Sequence, residues 1–221
     1  MRHLYQRLGM LEQPNGQTAQ MVADHYSTFQ AGNNRSAELT SAYSLGAIVH
    51  RLSNASEEER QLAKIYNDML VSALWRSEGA EILSHRVAAL GNTRRKENVA
   101  IFSDFAEHQS GQVRRRVAAA LGKIESTDPP HALLQLIADT DGVVQRTAIR
   151  SVRPHAEVYA EIVDAAEQGN LSALNHRAVL DLVKGGRTTH RLETDQVLDV
   201  LLARGIEDDQ NRELAYQLKE L

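Results

Sequence analysis

The stretch Val113–Ile124, VRRRVAAALGKI, decides the fold class of this 221-residue chain. Its apolar residues recur at spacings of three and four, which predicts a helix with one buried face. Its alanines allow a second helix to approach closely, and three arginines stand where the helix begins. Two interpretations follow: the arginines form a basic surface for an anionic partner, or the segment is one unit in a stack of similar helices. The rest of the sequence favours the stack.

The helix belongs to a repeat with a 31-residue period. Its last apolar position returns at this interval at Leu90, Leu121, Val152, Val183 and Leu214. A second row keeps the interval and is polar only at its fourth member: Ile82, Val113, Val144, Asn175 and Ile206. Shorter apolar segments such as HALLQLIAD lie between these positions. A fixed period of this kind is typical of stacked helix pairs that each pack on their neighbours.

The ends of the repeat helices carry their own signals. Short polar residues that favour helix N-caps stand at Ser110, Asp141 and Asp208. Glycines that favour helix ends stand at Gly91, Gly122 and Gly185. These positions place the turns between the helices of each pair.

The N-terminal part of the chain, 1–80, predicts longer helices. Three segments have helical periodicity: TAQMVADHYSTFQAG, SAELTSAYSLGAIVHRLS and SEEERQLAKIYNDMLVSALWRS. Ser56 and Glu59 form a capping box for the third, and Trp75 near its end is expected in the core. We therefore predict an all-α chain, a single right-handed α-α superhelix over 1–221 with about six or seven helix pairs. Residues 1–80 form its longer, less regular helices, and 81–221 form the repeats of 31-residue period.

The second helices resemble the HEAT-repeat family, in which Val-Arg is followed by small residues and an Ala-Leu pair. VRRRVAAALGKI fits closely and VQRTAIRSV fairly, and the resemblance extends over 82–214. The 31-residue period is shorter than the roughly 40 residues typical of HEAT units and suits short bacterial variants. The resemblance implies a non-catalytic solenoid that presents the concave side of its second helices to a protein or peptide.

A second resemblance, over Ser36–Ile124, is to the superhelical domain of vitellogenin-like lipid-transfer proteins. It is carried by AYSLGAIVHRL, ALGNT and VRRRVAAAL. It implies, as an alternative, the helical support domain of a lipid carrier, in which lipid binds only as part of a larger protein. Both alternatives stay open at the level of sequence.

Composition narrows the function classes. The formal net charge is −4 and there is no cysteine, which argues against a general nucleic-acid binder and excludes thiolate nucleophiles and Cys-based zinc sites. A HEAT-like DNA glycosylase is a further alternative, but such enzymes need a basic face and several tryptophans, and this chain has one. No segment reaches the roughly 18 apolar residues of a membrane span. Without a signal peptide in the chain as given, we expect the cytoplasm by default, and an extracytoplasmic location if a precursor was cleaved.

Three arginines of the repeat define the candidate binding surface. Arg115, Arg146 and Arg177 recur with the 31-residue period and are predicted to form a ladder along the second helices. Such a ladder either binds an acidic partner or packs against neighbouring repeats. Arg114 flanks it, and the turn NTRRKEN adds Arg94 and Arg95. Residues 111–155 hold seven Lys/Arg and four Asp/Glu, whereas 156–221 hold seven and thirteen, a charge distribution that suits a protein partner.

Motifs of enzymatic chemistry are missing from the sequence. There is no His-Glu dipeptide and hence no HExxH site, and no nucleophile elbow, Walker loop or dinucleotide fingerprint occurs. The nine histidines are scattered singly. We predict no catalytic, metal or cofactor site.

Overall fold

The computed structural model describes residues 15–32, 34–124, 131–152, 156–168 and 176–221. These residues are helical apart from short turns and caps, which confirms the predicted all-α fold of packed helix pairs. Asn175 lies outside the described residues. The chain divides into two compact units, Met1–Glu125 and Ser126–Leu221. A single superhelix over 1–221, with its right-handed sense, therefore stays a prediction.

The first unit contains three helix pairs among its described residues. The helices are α1 Gly16–Ala31, α2 Arg35–Leu52, α3 Glu57–Trp75, α4 Ala80–Gly91, α5 Val99–Asp104, which follows a 3-10 turn Lys96–Asn98, and α6 Gly111–Leu121. The second helices α2, α4 and α6 pack side by side, and the first helices α1, α3 and α5 pack on that row. The long helices predicted within 1–80 are α1, α2 and α3.

The second unit repeats this arrangement. Its described helices are α7 His131–Ile137, α8 Gly142–Val152, α9 Ala156–Glu167, α10 His176–Gly186, α11 Arg191–Arg204 and α12 Asp209–Glu220. The second helices α8, α10 and α12 contact one another in order, and the first helix α9 packs on α11. Each unit is thus a two-layered stack, as the period predicts.

The predicted repeat positions form the core of both units. Leu90, Leu121, Val152 and Val183 are completely buried. Leu214 is only half-buried, in the most polar of the repeat segments. In the second row the residues at 113, 144 and 206 are buried and the one at 82 is half-buried. The period therefore located the core at seven of the nine apolar positions that the structure describes, and Ile82 and Leu214, at the two ends of the repeat region, are only half-buried.

Helix ends follow the predicted signals closely. Ser56 Oγ accepts a hydrogen bond from the Glu59 amide and the Glu59 carboxylate accepts one from the Ser56 amide, which is the predicted capping box. Asp208 Oδ1 caps α12 at 2.8 Å from the Asn211 amide. Ser110 occupies the N-cap of α6 without a side-chain hydrogen bond. The helix α10 ends at Gly186, one residue beyond the glycine that the sequence indicated.

Trp75 is not a core residue. Its side chain is 55% exposed at the end of α3. The ring lies against Phe105 with a centroid separation of 5.1 Å. The prediction of a buried tryptophan was wrong because Trp75 is the last residue of α3, so no further turn of that helix covers it.

The second helices of the first unit touch through glycine. A Cβ atom at Gly46 in α2 would collide with the backbone carbonyl of Ala89 in α4. A Cβ atom at Gly91, at the end of α4, would lie 2.6 Å from Cβ of Ala120 in α6. Real Cβ atoms do not approach this closely, so the row α2–α4–α6 depends on these missing side chains.

A buried ion pair joins three helices of the same unit. Arg86 Nη2 in α4 lies 2.5 Å from Glu38 Oε1 in α2, and their side chains are 9% and 5% exposed. Arg86 Nη1 also donates to the carbonyl of Ala73 in α3 at 2.6 Å. Paired charges are tolerated in a protein interior only with such close partners. The pair therefore specifies how α2, α3 and α4 meet.

Tyr26 of α1 lies beside this pair. Its hydroxyl is buried and makes no hydrogen bond within the described part of the chain. Burial raises the pKa of Tyr26 to about 12, an effect that the positive charge of Arg86 partly offsets. Tyr26 is thus a group that folding keeps neutral.

Replacement of Gly46 by alanine should destabilise the first unit. Alanine is the better helix former by about 1 kcal/mol, but the clash with the Ala89 carbonyl forces α2 and α4 apart, and we expect a net loss of about 2 kcal/mol. Urea unfolding followed by circular dichroism measures the change. Gly16→Ala is the matched control, because its Cβ meets only the end of the Leu62 side chain, at 3.1 Å. Equal effects of the two variants would contradict the close approach.

Replacement of Glu38 by glutamine should leave the Arg86 charge buried without a counterion. We expect a loss of about 3–5 kcal/mol in the free energy of unfolding. The control is Asp68→Asn, which breaks the exposed pair Lys64–Asp68 and should cost no more than about 0.5 kcal/mol. A double variant with leucine at both 38 and 86 should recover most of the loss. If Glu38→Gln cost no more than Asp68→Asn, the pair would not organise the unit.

Tyr26 should make stability fall at high pH. The folded pKa is about 12 against an ordinary value of 10.0, so the unfolded chain ionises first. The contribution of Tyr26 to the free energy of unfolding is constant below pH 10. Above pH 10 this free energy falls by about 1.4 kcal/mol per pH unit, up to the folded pKa. Tyr26→Phe should remove this component when unfolding is compared at pH 9 and pH 11. The same pH dependence in both proteins would exclude Tyr26 as its source.

Candidate protein-binding surface

The three ladder arginines lie on second helices, as predicted. Arg115 in α6, Arg146 in α8 and Arg177 in α10 are all exposed. Arg177 Nε lies 3.4 Å from Asp181 Oδ1, one turn further along its own helix. Arg115 belongs to the first unit and the other two to the second. The continuous ladder therefore stays a prediction, and the surface is described unit by unit.

Arg114 makes contacts within its own chain. Its Nη1 donates to the carbonyl of His108 at 2.8 Å and to that of Gln109 at 3.2 Å. Both carbonyls belong to the turn that precedes α6. This guanidinium closes the turn between the two helices of a pair, which is a structural contact. A partner-binding role of Arg114 stays a prediction.

A shallow cavity separates the second helices of the second unit. It has a volume of about 410 Å³. Its lining residues come from α8 and α10: Arg146, Ile149, Arg150, Asp181, Lys184 and Gly185. Three of these side chains are cationic, and the single carboxylate, Asp181, is already paired with Arg177. Since residues 126–221 hold sixteen Asp/Glu against ten Lys/Arg, this groove is a local basic site on an acidic unit.

The corresponding face of the first unit carries a line of polar contacts. The Tyr43 hydroxyl of α2 lies 3.1 Å from His85 Nδ1 of α4. Asn92 Nδ2, just after α4, donates to the Tyr43 carbonyl at 3.3 Å. Lys123 Nζ, just after α6, donates to Asn92 Oδ1 at 2.8 Å. Together these bonds cross the whole row of second helices.

Three cations gather at one end of this line, and we call Arg94, Arg116 and Lys123 the Lys123 cluster. Desolvation of its ammonium group, followed by the charges of Arg94 and Arg116, lowers the pKa of Lys123. Burial raises the pKa of Tyr43, and the charge of Arg116 partly offsets that effect. The charges of Arg94 and Arg116, rather than burial, give the face a positive potential, which attracts anions.

The repeat period contained a signal for these residues that sequence analysis did not use. His85 and Arg116 are separated by one full 31-residue period, as are Asn92 and Lys123. Each pair occupies equivalent positions of successive second helices, and the hydrogen bond between Lys123 and Asn92 shows that such positions can become neighbours when the helices stack. The apolar rows locate the core, and the same interval applied to polar residues locates the cluster.

The basic turn after α4 has an unusual backbone. Arg94 has a φ of 51°, in the left-handed region that residues other than glycine seldom adopt. Arg95 is anchored, since its Nη1 donates to Ser53 Oγ at 3.2 Å and its Nη2 lies 2.8 Å from Glu97 Oε1. The two predicted residues thus differ: Arg94 is exposed on a strained turn, and Arg95 holds the turn to the end of α2.

The described ranges contain no group of three or more His, Cys, Asp or Glu side chains positioned to hold a metal ion. Within the same ranges, no helix has the length and apolarity needed to cross a membrane.

Comparison with known proteins gives a family match over part of the chain. The family model for HEAT repeats matches residues 67–153, which run from the middle of α3 to the end of α8. This match confirms the predicted resemblance over both second helices that carry the clearest repeat sequences. No curated protein and no solved structure gives a significant match. The resemblance to vitellogenin-like lipid-transfer proteins stays a prediction.

Proposed function

Because residues 67–153 match the family model for HEAT repeats, we propose that this chain is a non-catalytic scaffold that binds an acidic protein segment on the exposed face of its second helices. HEAT repeats are generally protein-interaction scaffolds, and their fold is typically non-catalytic. The proposal includes a continuous solenoid whose concave side carries that face. Arg115, Arg146 and Arg177 are its principal contact residues.

The groove between α8 and α10 is the observation that carries the proposal. Arg146, Arg150 and Lys184 line one shallow cavity, and they outnumber the single acid there. Guanidinium groups bind carboxylates through two parallel hydrogen bonds, and an ammonium adds a point charge. A peptide with two or three closely spaced Asp or Glu side chains matches this set of donors.

The exposure of these cations favours a role in binding a partner over a role in packing between helices. Arg146 is exposed and makes no ion pair within the described ranges. A packing arginine looks different, as Arg114 shows with its guanidinium on two carbonyls of an adjacent turn. A long cationic side chain without an internal counterion is available to an external one.

The first unit carries a basic surface of its own. Arg115 is exposed on α6, and the Lys123 cluster lies at one end of that helix row. A partner that reaches both units would meet basic side chains in each. Electrostatic attraction of this kind raises the association rate and is screened by salt, so affinity should fall as ionic strength rises.

The test is selection of 12-residue peptides from a displayed random library, followed by fluorescence anisotropy of labelled hits. We expect hits rich in Asp and Glu, with binding weakened about tenfold or more by Arg146→Glu combined with Lys184→Glu, because charge-assisted hydrogen bonds are lost and replaced by repulsion. Arg115→Glu, Arg146→Glu and Arg177→Glu together should weaken binding further.

The matched control is Arg191→Glu combined with Arg204→Glu. Both residues are exposed on the first helix α11, and the change in net charge is the same. Melting temperatures of the variants should stay close to that of the native chain. Selection of uncharged peptides, or an equal loss of binding in the control, would contradict the proposed face.

A further inference from the structure

We propose that a second basic cavity, in the first unit, is a binding site for a single phosphate group. The cavity has a volume of about 420 Å³ and lies where three segments meet. These are the end of α2 with His50, Ser53 and Asn54, the first turn of α3 with Arg60, and the turn Thr93–Glu97. The proposal concerns this cavity alone and stands whether or not the second-helix face binds a peptide.

Four cations line the cavity, and two of them are held in place. Arg60 Nη2 lies 2.6 Å from Glu57 Oε2 and its Nη1 donates to the Ala55 carbonyl at 2.9 Å. Arg95 is bound to Ser53 and Glu97, and its side chain is only 18% exposed. These guanidinium groups are therefore oriented before any ligand arrives, which reduces the entropy that binding must overcome.

The other two cations are open to solvent. Arg94 and Lys96 are exposed and make no ion pair with any residue that the structure describes. They stand on either side of the anchored Arg95. The one carboxylate in the lining, Glu97, already faces Arg95. The cavity therefore has an excess of positive charge with donors available for an anion.

The turn that presents these cations is strained and firmly supported. Arg94 has a φ of 51°, which costs a residue other than glycine free energy on the order of 1 kcal/mol. The flanking Thr93 is buried, and its hydroxyl donates to the Leu90 carbonyl at 2.7 Å and accepts from Asn98 Nδ2 at 2.9 Å. Asn98 in turn exchanges hydrogen bonds with the buried Asn67 of α3 at 2.8 and 3.2 Å. The buried network holds a conformation that the turn would not adopt alone.

The surrounding charge strengthens attraction for an anion. Arg94 also belongs to the Lys123 cluster, where cations repel one another and contribute to the lowered pKa of Lys123. A bound dianion would reduce that repulsion. The positive potential of the cavity thus extends beyond its own lining.

A phosphate group matches this set of donors better than a carboxylate does. Guanidinium forks and an ammonium suit its several oxygens and its double charge. The Asn54 amide adds a neutral donor in the same lining. The group could arrive as free phosphate or on a phosphorylated side chain of a partner, and the experiment separates these sources.

The experiment titrates the full chain with inorganic phosphate, with a phosphoserine peptide and with the same peptide unphosphorylated, by isothermal calorimetry at constant ionic strength. Chloride and sulfate serve as reference anions. We expect one saturable site that binds phosphate in preference to chloride. If the peptide binds more tightly than inorganic phosphate, and only when phosphorylated, the source is a phosphorylated protein. Equal affinities indicate the free anion, and either result supports the site.

The variant pair for this site is Arg94→Gln with Lys96→Gln, and its matched control is Arg35→Gln with Lys64→Gln. Both pairs remove two exposed cations from the first unit. The first pair should weaken phosphate binding about tenfold or more, while the control leaves it unchanged. Equal weakening by both pairs, or chloride binding as strong as phosphate binding, would overturn the proposal. Loss of phosphate binding in the first pair with acidic-peptide binding retained would separate this cavity from the α8–α10 groove.

Discussion

The close approach of neighbouring helices is the constraint on which each unit depends. At Gly46 and Gly91 in the first unit there is no room for a Cβ atom against the next second helix. In the second unit the missing side chain of Gly186 makes room for the ring of Tyr159. Because helices at this distance interlock through backbone and small side chains, their separation and register are tightly defined. The alanines of VRRRVAAALGKI serve the same purpose.

Register in turn determines which polar side chains become neighbours. When second helices stack with a 31-residue offset, equivalent positions become neighbours, as the hydrogen bond between Lys123 and Asn92 shows. The bond between Lys123 and Asn92 follows from that stacking, whereas the Tyr43–His85 contact spans 42 residues and joins the longer helix α2 to the repeats. The surface is therefore a product of the core: a sequence that preserves the apolar period places its polar residues in rows without further specification.

Buried polar groups add specificity that apolar packing alone does not provide. The pair Glu38–Arg86 connects α2, α3 and α4, and the amides of Asn67 and Asn98 connect α3 to the turn beyond α4. An apolar core tolerates small shifts, whereas a buried charge or amide must find its partner or lose several kcal/mol. These contacts lie in the part of the chain with the basic turn, which explains how a strained residue such as Arg94 is kept in place.

The sequence predicted the helices, the caps and the buried rows because each rests on local rules: periodicity, N-cap chemistry and a constant interval. It selected Arg115 and did not point to Arg116, since adjacent residues differ by about 100° around a helix and only packing decides which one faces a neighbour. It also missed the Glu38–Arg86 pair, whose members are 48 residues apart. Glu38 lies in one of the longer N-terminal helices, whereas Arg86 lies in a helix of the 31-residue repeat. The prediction that Trp75 is buried failed because the apolar pattern of α3 does not show where other parts of the protein stop packing on that helix.

The two basic cavities differ in the kind of recognition that their geometry allows. The groove between α8 and α10 is lined by cations from two neighbouring helices, so its attraction acts over the screening length of about 8–10 Å and tolerates many arrangements of acidic side chains. The cavity at Thr93–Glu97 is lined partly by guanidinium groups already anchored by Glu57, Ser53 and Glu97. Anchored donors bind a ligand of one geometry more tightly than ligands of other geometries, which is how specificity arises. A scaffold with both would combine a permissive surface for peptide charge with a selective site for one compact anion.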